Sequence, residues 1–235
     1  MTLLVGSGLS TRSFQRLAAV NPGFDPSDLI SLRVSLPEQR YESGEPRLNF
    51  HQQLLATLSS LPGAAAVAAV SDIPFGGSLT GLGHSLEDHP IADDQVPPVF
   101  MMKNVSAGYF ETMGIALVEG REFDALDGER DTPVVIVSRG LASTHWPNQS
   151  ALGKGLRQGG PPGEGEDWFR IVGVVDDVHQ QSLHDPPPEL AYYPVADRIG
   201  DTLRVPPAMS FVVRARNTSV VAAPARAAVR DLDPG

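Results

Sequence analysis

The strongest constraint on the fold is a strand-helix pattern that occurs near both ends of the chain. "DLISLRVSLP" (28–37) sets Leu29, Leu32, Val34 and Leu36 among polar neighbours, the alternation of a strand with one buried face. A helix follows. Pro46 suits its first turn, where an N–H has no partner to lose, and Phe50, Leu54, Leu58 and Leu61 form an apolar stripe that Pro62-Gly63 ends. "AAAVAAVS" (64–71) then supplies a second strand. Far downstream, "AMSFVVRAR" (208–216) reads as a strand, and Val221, Ala225, Ala228, Val229 and Leu232 recur at helical spacing. Pro224 is tolerated in a first turn, which places the start of this helix near Ala222. Asp233-Pro234-Gly235 repeats the earlier Pro-Gly punctuation, and the parallel predicts one more strand beyond it.

Two β-α-β units, the second lacking its last strand, predict an α+β fold: a split, ferredoxin-like β-α-β layer with an insertion at about residues 75–205 between its halves. Strands are predicted in the insertion at 97–105, 115–120, 133–138, 154–158 and 168–175, with helical turns at 107–113 and 139–146. "GGPPGEGED" (159–167) reads as a flexible hairpin tip and "DPPPEL" (185–190) as an extended connection. With 23 Gly and 21 Pro in 235 residues, short elements and elaborate connections are expected. The N-terminal "MTLLVGSGLSTRSFQRLAAV" has two readings: an ordinary amphipathic helix, or the end of a membrane helix emerging through a basic interface.

Composition excludes several functions. A net charge of −10 with no dense basic cluster argues against nucleic acid as a partner. The absence of cysteine removes disulfides, thiolate catalysis and Cys-based zinc sites. No apolar run reaches the ~20 residues of a membrane span. Gly153-Lys154 is followed by Gly155 where a phosphate-binding loop needs Ser or Thr, and "GGSLTGLGHS" (76–85) lacks the third glycine of a dinucleotide fingerprint, so both read as plain loops. Neither Ser7 nor Ser78 sits in a Gly-x-Ser-x-Gly elbow. The acidic stretch Glu87, Asp88, His89, Asp93 and Asp94 reads as solvated surface, and Trp146 and Trp168 as core or rim packing.

One stretch invites a chemical reading. "FRIVGVVDDVHQQSLHD" (169–185) runs from an apolar strand into Asp176, Asp177, His179, His184 and Asp185, which could supply an oxygen and nitrogen shell for a metal. Against this, strand alternation sends Asp176 and Asp177 to opposite faces. No metal and no cofactor is expected; Asp176, Asp177, His179 and His184 stand as the candidates for a metal-dependent hydrolase, the least favoured of three functional readings.

"NVSAGYFETMGIALVEGREF" (104–123) resembles the MacB-like periplasmic core domain of ABC transporter permeases, within the FtsX-like permease group. The typical signature has a Ser-x-Gly-Tyr-Phe turn, Met/Leu-Gly-Ile, and Leu-x-x-Gly-Arg-x-Phe. These correspond here to Ser106, Gly108, Tyr109 and Phe110; Met113, Gly114 and Ile115; and Leu117, Gly120, Arg121 and Phe123. "PVVIVSRGLASTHWP", "ALGKGLR", "FRIVGVVDDVHQQSL" and "VRDLDP" extend the resemblance over roughly the whole chain, while Asp176 and His179 depart from the family's common Gly and basic residue. The resemblance implies a stub from a membrane helix at 1–18, a porter-like half at 19–75, a Sabre-like strand-rich insertion at 76–205 and the second porter-like half at 206–235. It implies a non-enzymatic domain on the periplasmic side of the bacterial cytoplasmic membrane, passing ATPase-driven motion to extracytoplasmic partners or substrate. The implied partners are flanking membrane helices of the same permease, a cytoplasmic ABC ATPase, a second core domain and a periplasmic adaptor. The competing reading is a stand-alone binding module that uses a groove between the subdomains for a peptide, lipid or adaptor.

Overall fold

The computed structural model describes residues 21–90, 92, 95–128, 132–159, 168–199 and 202–232. The chain opens with β1 (Leu29–Ser35), α1 (Gly44–Ser59) and β2 (Ala64–Val70), then β3 (Thr80–Leu86), β4 (Val99–Val105), α2 (Tyr109–Met113) and β5 (Leu117–Gly120). The middle holds β6 (Val134–Ser138), α3 (Arg139–His145), β7 (Gly155–Gln158) and β8 (Phe169–Val175). The remainder is β9 (Leu190–Pro194), a hairpin of β10 (Asp197–Ile199) and β11 (Thr202–Arg204), β12 (Ala208–Ala215) and α4 (Thr218–Leu232). The N-terminal stub, Asp93, Asp94, the hairpin tip beyond Gly159 and the final Asp-Pro-Gly lie outside the described residues.

The two terminal segments meet in one three-strand arrangement. β12 lies between β1 and β2 and runs antiparallel to both, with Val34 opposite Met209 and Ala68 opposite Val212. The pleat sends Phe211, Val213, Met209 and Ala69 to one face, where Phe50, Leu54 and Leu58 of α1 and Val221, Ala225 and Ala228 of α4 cover them. Val195, Ala196 and Val205, at the ends of the β10–β11 hairpin, pack into this same core. The outer edge of β1 has no strand partner among the described residues.

The other strands close on themselves. β4 pairs with β3, β3 with β7, β7 with β8, β8 with β6, β6 with β9, and β9 returns to β4, forming a small barrel without free edges along that circuit. β5 pairs with β8 alone. Alternate residues of β6 and β9 divide between two cores. Val135, Val137, Ala191 and Tyr193 fill the barrel with Phe100, Phe169 and Trp146. Val134, Ile136, Leu190 and Tyr192 face outward onto α2 and onto Ala68, Val70 and Val212, the second face of the three-strand layer. Burial on both sides is why "VVIVS" and "LAYYP" are buried throughout instead of alternating.

Two expectations need correction, and one strand, β9, has no counterpart among those expected. "GGSLTGLGHS" is not a plain loop: Thr80 to Leu86 form β3, whose Gly81 and Gly83 carry no side chain to signal a strand. β9 follows the "DPPPEL" connection directly, in a run whose tyrosines and terminal Pro194 hide the pattern. The last helix starts at Thr218 rather than near Ala222, so Pro224 lies inside it. Asn217 Oδ1 accepts from the Ser219 N–H (3.2 Å) and hydroxyl (2.6 Å), capping a turn ahead of the proline. The hydrogen bond missing at Pro224 is offset by burial of Val221, Ala225 and Ala228.

Candidate functional site

The turn after β8 brings its acids and imidazoles to separate tasks. The Asp176 carboxylate sits 3.3 Å from the Arg139 guanidinium, an exposed pair. Asp177 turns the other way, and its Oδ1 accepts from the Gly140 N–H (2.8 Å), satisfying a donor in the first turn of α3 beside the Ser138 cap. His179 Nδ1 lies 3.0 Å from the Asp185 carbonyl and 3.2 Å from that of Ser182, so this nitrogen carries the proton and donates. The His184 backbone N–H donates to Ser182 Oγ (3.0 Å). Among the described residues, no three His, Asp or Glu side chains are gathered as metal ligands would be.

What this turn does hold is the start of the described chain. The His179 N–H donates to the Pro22 carbonyl (2.9 Å), and the Phe75 N–H to the Gln180 carbonyl (2.7 Å). Gly23, at φ +87°, lies so close that an added Cβ would fall 2.0 Å from the Asp177 carbonyl oxygen. Residues 22–28 form a strap whose other fastening is Arg214 of β12. That guanidinium donates to the Asp25 carboxylate (3.0 Å) and to the carbonyls of Asp25 (2.9 Å), Ser27 (2.7 Å) and Thr112 of α2 (2.9 Å). The Asp25 N–H donates to Met113 O (2.8 Å). The Ser27 backbone N–H, then its hydroxyl and Arg214, hold the Asp25 carboxyl below its ordinary pKa. The strap is thus bonded to the layer through β12 and to the barrel through the β8 turn.

The seam between layer and barrel is short. β2 meets β4 at one residue pair, Val70 opposite Val105. Serine hydroxyls extend it: Ser106 Oγ accepts from the Ala69 N–H (2.9 Å) and Ser71 Oγ from that of Asn104 (3.2 Å). Beside it, the buried Lys103 ammonium donates to the Asp72 carbonyl (2.6 Å), and burial lowers its pKa to about 7. Arg33 of β1 binds the same crossing segment through the Ser71 carbonyl (2.8 Å). α2 then fills the space between the bodies with Tyr109, Phe110 and Met113. The residues that carry the sequence resemblance, Tyr109, Phe110, Met113, Ile115 and Phe123, are therefore the seam itself.

Next to the seam, a cavity of about 260 Å³ opens between α1 and the loop after β5. Leu48, His51 and Leu55 of α1 face Phe123, Val195 and Ala196 across it. Arg121 fastens the loop by a two-pronged bond to Asp127 (2.6 and 2.8 Å). His51, which falls between Phe50 and Leu54 of the α1 stripe, was not among the residues singled out from the sequence.

The remaining sequence candidates are packing residues. Glu87 and Asp88 are exposed and paired with Arg170 and Lys154, while Asp93 and Asp94 lie outside the described residues. Trp146 is buried in the barrel core, and Trp168 lies under the Arg157 guanidinium at 4.8 Å. His84 is buried; its Nε2 is 3.0 Å from the Tyr193 hydroxyl, and burial lowers its pKa to about 4.

The model of the MacB-like periplasmic core domain matches residues 2–232. The chain belongs to that family. Two solved structures share the fold. The periplasmic region of MacB from Actinobacillus actinomycetemcomitans aligns with a TM-score of 0.55 at 17% identity, covering 93% of this chain and 89% of that one. The extracellular domain of the noncanonic ABC-type transporter YknZ from Gram-positive bacteria aligns with a TM-score of 0.51 at 14% identity, covering 88% and 93%. No curated protein matches the chain by sequence. MacB-like core domains are the non-catalytic periplasmic parts of ABC transporter permeases, which work with membrane helices and an ATPase. The chain is accordingly an extracytoplasmic domain of a membrane permease, and among the described residues no helix is long and apolar enough to cross a membrane.

Proposed function

We propose that this MacB-like core domain is a mechanical coupler that carries ATPase-driven motion from membrane helices to an extracytoplasmic partner or substrate, without chemistry or cofactor of its own. In this reading β1, β2 and β12 with α1 and α4 are the porter-like split β-α-β layer, and the barrel is the Sabre-like insertion. A further strand would pair with the open edge of β1, and membrane helices would adjoin both ends. A second core domain and a periplasmic adaptor would complete the assembly. The observation that carries the reading is the strap. Arg214 ties residues 25–27 to β12 and α2, while His179 and Gln180 tie Pro22 and the β2–β3 crossing to the barrel. Displacement of the strap therefore loads both bodies at once.

Because the chain has no cysteine, single labels are easily placed. In the intact permease with its ATPase, reconstituted in a bilayer, a spin label at the exposed Val96 should change its distance from a lipid-headgroup label between nucleotide-free and ATP-trapped states. The same distance in both states would sink the coupling role.

A further inference from the structure

Phe75, in the crossing from β2 to β3, combines two unfavourable features. Among the described residues it is the one apolar side chain on a left-handed backbone, at φ +60°. It is also 42% exposed. A left-handed φ strains a bulky residue and leaves glycine free, yet Gly76 and Gly77 come only after it. A strained residue that is also kept out of the core points to a task at the surface.

Its place in the fold says which surface. The Phe75 N–H donates to the Gln180 carbonyl (2.7 Å), and the adjacent His179 N–H donates to the Pro22 carbonyl (2.9 Å). Phe75 and the strap's first residues are thus held by one turn. If a membrane helix ends near residue 18, as the coupling role has it, a fully extended chain reaches at most about 14 Å from there to Pro22. A headgroup layer is itself about 5–8 Å deep. Phe75 therefore belongs to the membrane side of the domain.

The chemistry around it favours lipid of one kind. Phe75, Gly76, Gly77 and Ser78 are exposed, and residues 73–82 contain no charged side chain. Phe24 stands beside the ring, centroids 6.2 Å apart, and with Ile73 and Pro74 lines an apolar recess of about 130 Å³. The nearest strap and turn cations, Arg214 and Arg139, are paired with Asp25 and Asp176. An aromatic tip without free cations suits the acyl–headgroup boundary of zwitterionic lipid.

We propose that Phe75 is a membrane-contact residue whose ring enters the headgroup boundary of the permease's own bilayer, with zwitterionic lipid as its partner, and so steadies the turn that holds the strap. The proposal rests on the coupling role's placement of a membrane helix before residue 19.

The test uses the intact permease, freed of other cysteines, in phosphatidylcholine bilayers containing nitroxide-headgroup lipid and no nucleotide. A bimane at Ser78→Cys, which leaves Phe75 in place, should emit blue-shifted light and be quenched by the nitroxide. A bimane at Val96→Cys, ahead of β4 at the end away from the seam, should not be. Phe75→Asn, which tolerates the left-handed backbone, should lower quenching at Ser78 at least about twofold through loss of the inserted ring. Phe75→Trp should retain it. Unquenched, water-like emission at Ser78 would overturn the proposal. So would blue-shifted emission without quenching, which marks cover by protein such as a second copy. Quenching that appears only after an anionic lipid is added would also overturn it, since charge and not the ring would then hold the contact. Taken without nucleotide, these outcomes are separate from the nucleotide-driven movement of Val96 that tests coupling.

Discussion

The three-strand layer and the barrel bury similar residues by different plans. The layer places two long helices on one face of three strands, so β1 and the helices carry apolar residues at the periods of 2 and 3.6 that belong to half-buried elements, while β12 and the end of β2 also bury their second face. The barrel has core on both sides of β6 and β9 and fills the inward side with side chains from its own strands and with Leu141, Trp146 and Ala151 of α3 and the segment after it. The layer thus joins β-α units from opposite ends of the chain through β12, whereas the barrel closes on strands that lie between them in sequence. The two share the core around α2, which makes them one body despite a seam of a single strand pair.

That difference yields predictions. Phe110→Ala, in the shared core, should cost about 3–5 kcal/mol and lower the stability of layer and barrel together; a loss confined to one body would break the comparison. Lys103→Met probes the seam by pH. The folded pKa of Lys103 is lowered to about 7 from 10.5, so below 7 the folded chain bears the full cost of a buried ammonium, and between these values the unfolded chain binds more protons. The stability of the unaltered chain should rise with pH across that window. The Met variant, more stable near pH 7, should lose its advantage as pH increases, as urea midpoints would show.

Two glycines sharpen the contrast between strap and layer. Gly23→Ala, where the Cβ would collide with the Asp177 carbonyl, should cost more than about 1 kcal/mol and loosen the strap. Gly63→Ala, at φ +91° with only a Val221 methyl at 3.5 Å, should cost less, close to about 1 kcal/mol, because strain acts there without a clash. Reversal of that order in thermal melts would contradict the tight fit of the strap. Smallest are the acids of the β8 turn. Asp177→Ala should cost about 1 kcal/mol by freeing the Gly140 N–H, and Asp176→Ala under about 0.5 kcal/mol, since its ion pair is exposed. Equal effects, or metal release by either variant, would return the turn to chemistry.

The same contrast explains what was legible in the sequence. β1 and α1 were readable because each has one solvated side, and β2 and β12 because they are apolar runs bounded by turn residues, although both bury residues on each face. β3 was not, since Gly81 and Gly83 leave two of its seven positions without a side chain. β9 was hidden by prolines before it and by burial on both faces. Pro224 misplaced a helix start because the cap at Asn217 acts upstream of it. The Asp176–Asp185 turn was found at once but misleads as a list of residue types, because its work is done by backbone groups: the His179 N–H, the Gln180 carbonyl and the Asp177 carbonyl against Gly23. His51 could have been flagged only as a polar residue within an apolar helical stripe.

The central claim, that layer and barrel act as one body, is tested most directly by urea unfolding followed through two probes. Both tryptophans, Trp146 and Trp168, belong to the barrel, and the two long helices, α1 and α4, belong to the layer. Tryptophan fluorescence therefore reports one and the 222 nm circular dichroism mainly the other. The account predicts superimposable curves with one midpoint and one slope. Separate midpoints, with the helices lost while the tryptophans remain buried or the reverse, would contradict it.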